Sequence, residues 1–303
     1  MRIIVIGQGP FGEKVLEALI QKGEDVVGVF CPPDTRGEAM AEVAEKSGIF
    51  LSRPQEMKDP GVYDSYVTLR PDLSVLAFVT DIIPGRLLDV PSLGTICYHP
   101  SLLPKHRGAS AINWAIINGD TRTGLTIFWV EEGIDTGPML LQREVDIDPE
   151  DTTGSLYFNS LFPMGIEAIV EAVGLIREGK APKIPQDESE ATYEPPCDDA
   201  VASVDWKQSS GDLYNLIRGC DPQPGAYTTI KGRKVRFYGA KLHLGVREGA
   251  PGEILSIEKG GLRVSATDGA IDIGKLRVEG REKRGPLEFA QSVDLKTGDR
   301  FGD

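Results

Sequence analysis

An α/β fold in two parts is predicted for this chain of 303 residues: a parallel, Rossmann-like sheet domain followed by a small β-barrel of the oligonucleotide/oligosaccharide-binding (OB) kind. Three observations predict it. Short apolar runs alternate with helix-period segments through the first third of the chain. A stretch holding Pro182, Pro185, Pro195 and Pro196 among acidic and small residues then interrupts the pattern. Beyond it come several short strand-like runs separated by glycine turns.

The elements follow in order. RIIVIG (2–7) is apolar and ends on glycine, as a buried strand does. Residues 11–22 carry Val15, Leu16, Leu19 and Ile20 at helical spacing, and Gly23 is a natural stop. DVVGVF (25–30) is a second strand, 40–47 a short helix, and 49–51 a strand fragment. LSVLAFV (73–79) and GTICYH (94–99) are further buried strands, 111–117 a helix and GLTIFWV (124–130) another strand. Residues 156–178 have the stripe of one long amphipathic helix. Strands are expected over 225–230, 234–244, 252–257, 262–266 and 270–278. The expected division is a catalytic domain over 1–180, a linker over 181–202 and the barrel over 203–303.

Composition excludes some classes of function. Hydrophobic residues are 40% and charged residues 26%, the profile of a globular protein with a core. No uninterrupted apolar run approaches the roughly 20 residues of a spanning helix, and no signal-peptide pattern opens the chain, so no membrane association is expected. Cys31, Cys97, Cys197 and Cys220 are scattered without a CxxC pair. That spacing argues against a zinc site or disulfide framework and fits a cytoplasmic protein without a metal. Acidic residues outnumber basic ones 46 to 33, a formal charge of −13, which disfavours a nucleic-acid partner.

Gly7, Gly9 and Gly12 spell G-x-G-x-x-G between a strand and a helix, the dinucleotide-binding fingerprint in its proper context. Any strand-to-helix turn in such a sheet also favours glycine. Pro10 inside the loop, and Pro32-Pro33 where a ribose would lie, weigh against NAD.

The chemistry concentrates elsewhere. In YHPSLLPKHRG (98–108), His99 ends an inner strand and enters a proline-braced loop, where open α/β sheets place their ligands. In EEGIDTGP (131–138), glycines flank Asp135 and let backbone lie close to a ligand. Of the three histidines, His99 has the catalytic placement, while His243 has the ordinary structural one.

YHPSLLPKHRGASAINWAIINGD together with GIDTGPMLLQ resembles the formyltransferases that use 10-formyltetrahydrofolate. GQGPFG, VVGVF, LFPMGIEAIVEAVGLIREGKAP and IRGCDPQPGAY extend the likeness over nearly the whole chain, nearest to the hydrolase domain of 10-formyltetrahydrofolate dehydrogenase. The resemblance implies a Rossmann-like formyltransferase domain that binds folate rather than NAD, with a C-terminal barrel as in methionyl-tRNA formyltransferase. It makes His99 the catalytic histidine and Asp135 the essential aspartate. It places Asp81, Ile82 and Ile83 at the pterin pocket, and Ser101, Leu102, Leu103 and Pro104 in a folate-contacting loop.

One departure bears on chemistry. Most transferases of the family carry Asn-x-His, and here the first position is Cys97, a weak donor in place of an amide. Loss of one oxyanion donor typically costs about 10²–10³ in turnover. Cys97 therefore joins the catalytic candidates, either as a substitute donor or as a covalent nucleophile. Water and an amine both remain open as acceptor. A tRNA is disfavoured, because CPPDTRGEAMAEVAEKSG after the second strand lacks the basic insertion of the tRNA-formylating relatives. An NAD-dependent dehydrogenase and a non-catalytic folate-binding module are the competing classes. The first has support only in the glycine loop, and the second leaves His99 with Asp135 unexplained.

Overall fold

The computed structural model describes residues 1–246 and 248–302, and the chain divides into two compact units. Unit 1 comprises residues 1–108, 124–145 and 159–193; unit 2 comprises 109–123, 146–158 and 194–303. Unit 1 thus keeps the chain as far as Tyr193, well into the stretch expected to be a linker. Ile184 pairs with Met139 and Tyr193 with Arg107 in isolated bridges, so the prolines there shape a strap and not a free connection.

Unit 1 is built on seven strands: β1 (Arg2–Gly7), β2 (Asp25–Phe30), β3 (Phe50–Ser52), β4 (Leu73–Ala77), β5 (Thr95–His99), β6 (Arg122–Trp129) and β7 (Met139–Asp146). Their order is β3-β2-β1-β4-β5-β6-β7, with β1 to β5 parallel and β6 antiparallel to β5. Strand β1 explains the layering. Ile3 and Val5 point to one face, where α1 (Gly9–Gln21), α2 (Glu38–Lys46) and α7 (Phe162–Arg177) bury their apolar stripes. Ile4 and Ile6 point to the other, against Val62 and Tyr66 of α3 (Pro60–Leu69) and Leu87 of α4 (Gly85–Leu88). After β3 the chain crosses back to the far side of β1, so the carboxyl ends of β1 and β4 form the switch point where such sheets bind ligands.

The single helix expected over 156–178 is interrupted. A short α6 (Thr153–Leu156), capped by Thr152, passes through one π-helical turn (Tyr157–Leu161) before α7 begins. Pro163 has no N–H to continue the ladder, which accounts for the break. Residues 153–177 nevertheless form one helical stretch that is, by length and composition, long and apolar enough to cross a membrane, although it contains no uninterrupted apolar run of that length. Gly165, Ala168, Ile169, Ala172, Val173 and Ile176 of that stretch are buried, and all but the glycine join the core under the sheet.

Unit 2 holds the expected small β domain as an antiparallel sheet of β8 (Tyr227–Ile230), β9 (Arg233–Leu244), β10 (Ile254–Ile257), β11 (Leu262–Ser265) and β12 (Gly269–Val278). Its order is β10-β11-β12-β9-β8, and among the described residues the ladder ends at β10 and β8 instead of joining them into a closed ring. Helices α5 (Ala111–Ile117), α8 (Ser210–Gly219) and α9 (Pro286–Val293) belong to the same unit. Trp206 stacks on Phe301 in its core and Phe237 meets both rings edge-on, with Phe237 and Phe301 centroids 5.1 Å apart. Two of the cysteines that look unrelated in sequence meet here: Cys197 and Cys220 are both free thiols, with sulfurs 3.7 Å apart.

Candidate active site

His99 is the last residue of β5 and is only 6% exposed. Its Nε2 lies 2.7 Å from the carbonyl oxygen of His106. A carbonyl can only accept, so Nε2 carries the proton. Nδ1 faces Asp135 Oδ2 at 3.5 Å. The loop that delivers His106 is braced from below. Ser101 Oγ donates to the Lys105 carbonyl at 2.6 Å, and Thr126 Oγ1 on β6 donates to the Ser101 carbonyl at 2.7 Å. Thr126 Oγ1 also accepts the Leu103 N–H at 3.1 Å, and the Gln142 amide on β7 donates to the Leu103 carbonyl. Ser101 and Leu103 are buried in this brace, whereas Leu102 and Pro104 remain half-exposed.

Asp135 sits in the loop joining β6 to β7, with φ +55° in the left-handed region. An aspartate there is tolerated at a cost of about 1 kcal/mol, so its surroundings must hold it. They do so at both ends of the residue. Oδ2 accepts the Gly108 N–H at 2.8 Å, which turns the carboxylate toward His99. The backbone carbonyl accepts from Gln186 Nε2 at 2.8 Å, and the same nitrogen donates to the Gly137 carbonyl at 2.7 Å.

Gln186 is in turn anchored by Arg107, which is fully buried. Arg107 donates from Nε and Nη2 to Gln186 Oε1, at 3.1 and 2.7 Å. It also grips the Glu188 carboxylate with two bonds of 2.9 and 2.7 Å, and the Tyr193 hydroxyl at 2.7 Å. The guanidinium beside Glu188 holds that carboxyl below its ordinary range, and the pairing holds Arg107 charged. None of Gln186, Glu188 and Tyr193 stands out in the sequence. They lie in the proline-rich stretch read as linker, and no spacing there signals a role. Arg107 lies inside the sequence block around His99 but carries no signal of its own burial.

Cys97 precedes His99 by two residues on β5 and so shares its face of the sheet. Burial, and then the Asp135 carboxylate, push its thiol up, away from the thiolate a nucleophile needs. Its Sγ donates to the neighbouring Tyr98 carbonyl, at 3.5 Å. Asp81 follows β4, the neighbour of β5, and its Oδ2 accepts the Met57 N–H at 2.6 Å. It lines a cavity of about 220 Å³ at the switch point, together with Gly7, Gln8, Cys31, Met57 and Thr80. Ile82 beside it is 82% exposed, an unusual position for a bare aliphatic side chain, and Ile83 packs under β1 and β4. The structure thus brings His99, Asp135 and Cys97 together, and sets Asp81 to Ile83 at the end of the adjacent strand. Among the described residues, no group of His, Cys, Asp or Glu could hold a metal ion.

Comparison with known proteins adds an independent line. A family model described as formyl transferase matches residues 1–173, and one described as formyl transferase, C-terminal domain, matches residues 198–294. Human mitochondrial 10-formyltetrahydrofolate dehydrogenase is 46% identical over 270 residues; the match takes in 86% of this chain but only 29% of that protein. Methionyl-tRNA formyltransferase of Geobacter metallireducens is 36% identical over 310 residues, covering 100% of this chain and 99% of its own length. Among solved structures, HypX from Aquifex aeolicus in complex with tetrahydrofolic acid shares the fold at a TM-score of 0.71 and 22% identity, over 99% of this chain and 48% of that one. With both of its domain models matched in order along the chain, and a relative aligned end to end, this protein belongs to the formyl transferase family.

Proposed function

We propose that this protein removes the formyl group of 10-formyltetrahydrofolate, by hydrolysis or by transfer to a small acceptor, leaving tetrahydrofolate. The observation that carries the reading is the His99–Asp135 pair, 3.5 Å apart at the carboxyl end of β5. Its setting in a family whose relatives include 10-formyltetrahydrofolate dehydrogenase supplies the substrate class.

The reaction cleaves one N–formyl bond. Water, positioned by the Asp135 carboxylate, adds to the formyl carbon and gives up a proton to that carboxylate. The oxygen of the resulting tetrahedral species takes on negative charge, which the His99 ring stabilises once its Nδ1 has taken up the proton passed on by Asp135. The C–N bond then breaks and the folate nitrogen takes a proton, delivered through His99. Formate and tetrahydrofolate result, and an amine in place of water gives the N-formylated acceptor. The half-exposed Leu102 and Pro104 are the positions of the loop suited to meet folate, and Asp81, Ile82 and Ile83 those suited to the pterin. Cys97 acts as a weak donor at most, since its thiol is held neutral.

A second reading, methionyl-tRNA formyltransferase, is favoured by the end-to-end relative of that name. Against it stand the acidic excess and the short turn between β2 and α2, where Arg36 is engaged by Asp34. The experiment is to follow formate release from 10-formyltetrahydrofolate with and without initiator methionyl-tRNA. Release without any acceptor is expected. Turnover that starts only when the tRNA is added replaces the first reading with the second.

A further inference from the structure

The strap over 184–193 does more than close unit 1. Its Gln186 side chain spends every hydrogen-bonding group it has on two clients. Oε1 receives two bonds from the buried Arg107, and Nε2 gives one bond each to the carbonyls of Asp135 and Gly137. An amide cannot rotate away from such a set without leaving Arg107 or both carbonyls unpaired. Arg107 is fixed independently by Glu188 and Tyr193, so the fork that holds Gln186 is itself rigid. The residue at the other end of this chain of bonds is Asp135, whose left-handed backbone decides where its carboxylate points. The N–H that receives that carboxylate belongs to Gly108, the residue next to Arg107. Arg107 and its neighbour thus reach Asp135 from two sides, through Gln186 to its carbonyl and through Gly108 to its carboxylate.

We propose that Gln186 is a positioning residue for the reaction, holding the Asp135 turn so that its carboxylate faces His99 Nδ1, with Arg107 as its anchor. This rests on the reading of His99 and Asp135 as the catalytic pair. The hydrogen bonds of the Gln186 side chain go to Arg107 and to the carbonyls of Asp135 and Gly137, and not to His99. Gln186 acts through Asp135 alone, so its loss should lower kcat and leave folate binding nearly unchanged.

Gln186→Glu separates the two clients. It keeps an oxygen for Arg107 and removes both donations to the turn. Gln186→Met, similar in size and uncharged, removes both functions and guards against an effect of the new charge. In each variant kcat for formate release is expected to fall between about 10- and 100-fold, the usual consequence of misplacing a catalytic group by a fraction of an ångström to an ångström, with KM within about twofold. The second readout does not depend on activity. With three histidines in the chain, imidazole ¹⁵N spectra resolve His99, and its Nδ1 resonance should move in both variants toward its position in Asp135→Asn. A resonance that stays at the wild-type position in both variants overturns the proposal, whatever happens to kcat. A resonance that moves in a protein showing no activity on 10-formyltetrahydrofolate upholds the positioning role and refutes the proposed substrate instead.

Discussion

Two loops leave the carboxyl edge of the same sheet, and they behave in opposite ways. The turn after β1 carries the most recognisable motif in the chain, yet packing and backbone conformation account for its glycines. A Cβ on Gly7 would stand 2.4 Å from the Ala77 carbonyl oxygen, and one on Gly12 would stand 2.5 Å from the Met40 sulfur. Gly9 has open space around it and is required by its φ of +62°. Asp34, an acidic residue past the end of β2 in the region where dinucleotide-binding folds place their ribose contact, is engaged by Arg36 on the surface. The loop after β5 has no glycine signature at its start, but it presents a buried histidine to a carboxylate set in a costly backbone conformation. Glycines report where backbone comes close to anything, a neighbouring strand as readily as a phosphate. Polar groups in a costly arrangement report where something must be held.

The contrast can be broken most directly at the second loop. His99→Ala and Asp135→Ala should each reduce deformylation by about 10²-fold or more, with circular dichroism unchanged. Either variant retaining more than about a tenth of wild-type turnover removes the catalytic assignment. At the first loop the effect should be on stability. Gly7→Ala drives a methyl group into the β4 backbone and should cost about 1–3 kcal/mol in urea unfolding, because strand carbonyls do not yield as flexible side chains do. Unaltered stability there would remove packing as the reason for the glycine.

Smaller effects sharpen the picture. Cys97→Ala should alter hydrolysis by less than about tenfold, since a thiol donates weakly. Complete loss would instead indicate a covalent thiol. Cys97→Asn should raise transfer to amines if the amide reaches the formyl oxygen. The smallest expected signal is none: calorimetry with millimolar NAD or NADP should give no binding heat, and micromolar affinity would restore the dinucleotide reading of the glycine turn.

How far the sequence discloses this molecule follows the same division. The buried strands β1, β2, β4 and β5 and the helices α1 and α5 are visible because an apolar run or a helical stripe is a local property. His99 and Asp135 are visible because strand ends and glycine-flanked acids are local too, and because the surrounding block resembles a family. The short α3 and α4, with Pro60 at one start and four residues in the other, have no such local signature. The residues that hold Asp135 are hidden for a different reason. Gln186 and Glu188 lie 79 and 81 positions from Arg107, in a segment whose prolines and acids look like a solvated connection. The pairing of Cys197 with Cys220 is equally a fact of folding and not of spacing.

The strap also sets an order of completion during synthesis. Once β7 has been made, all seven strands of unit 1 exist, and so do His99, Arg107 and Asp135. At that moment the Asp135 turn lacks Gln186, and a guanidinium destined for full burial lacks Glu188. A chain ending at residue 180 would therefore carry every chemistry-bearing side chain while Arg107 still lacked the partners that enclose it and the Asp135 turn the donor that holds it. One ending at 193 would lack neither. The site is written early in the chain and made to fit by what the ribosome adds last to that unit.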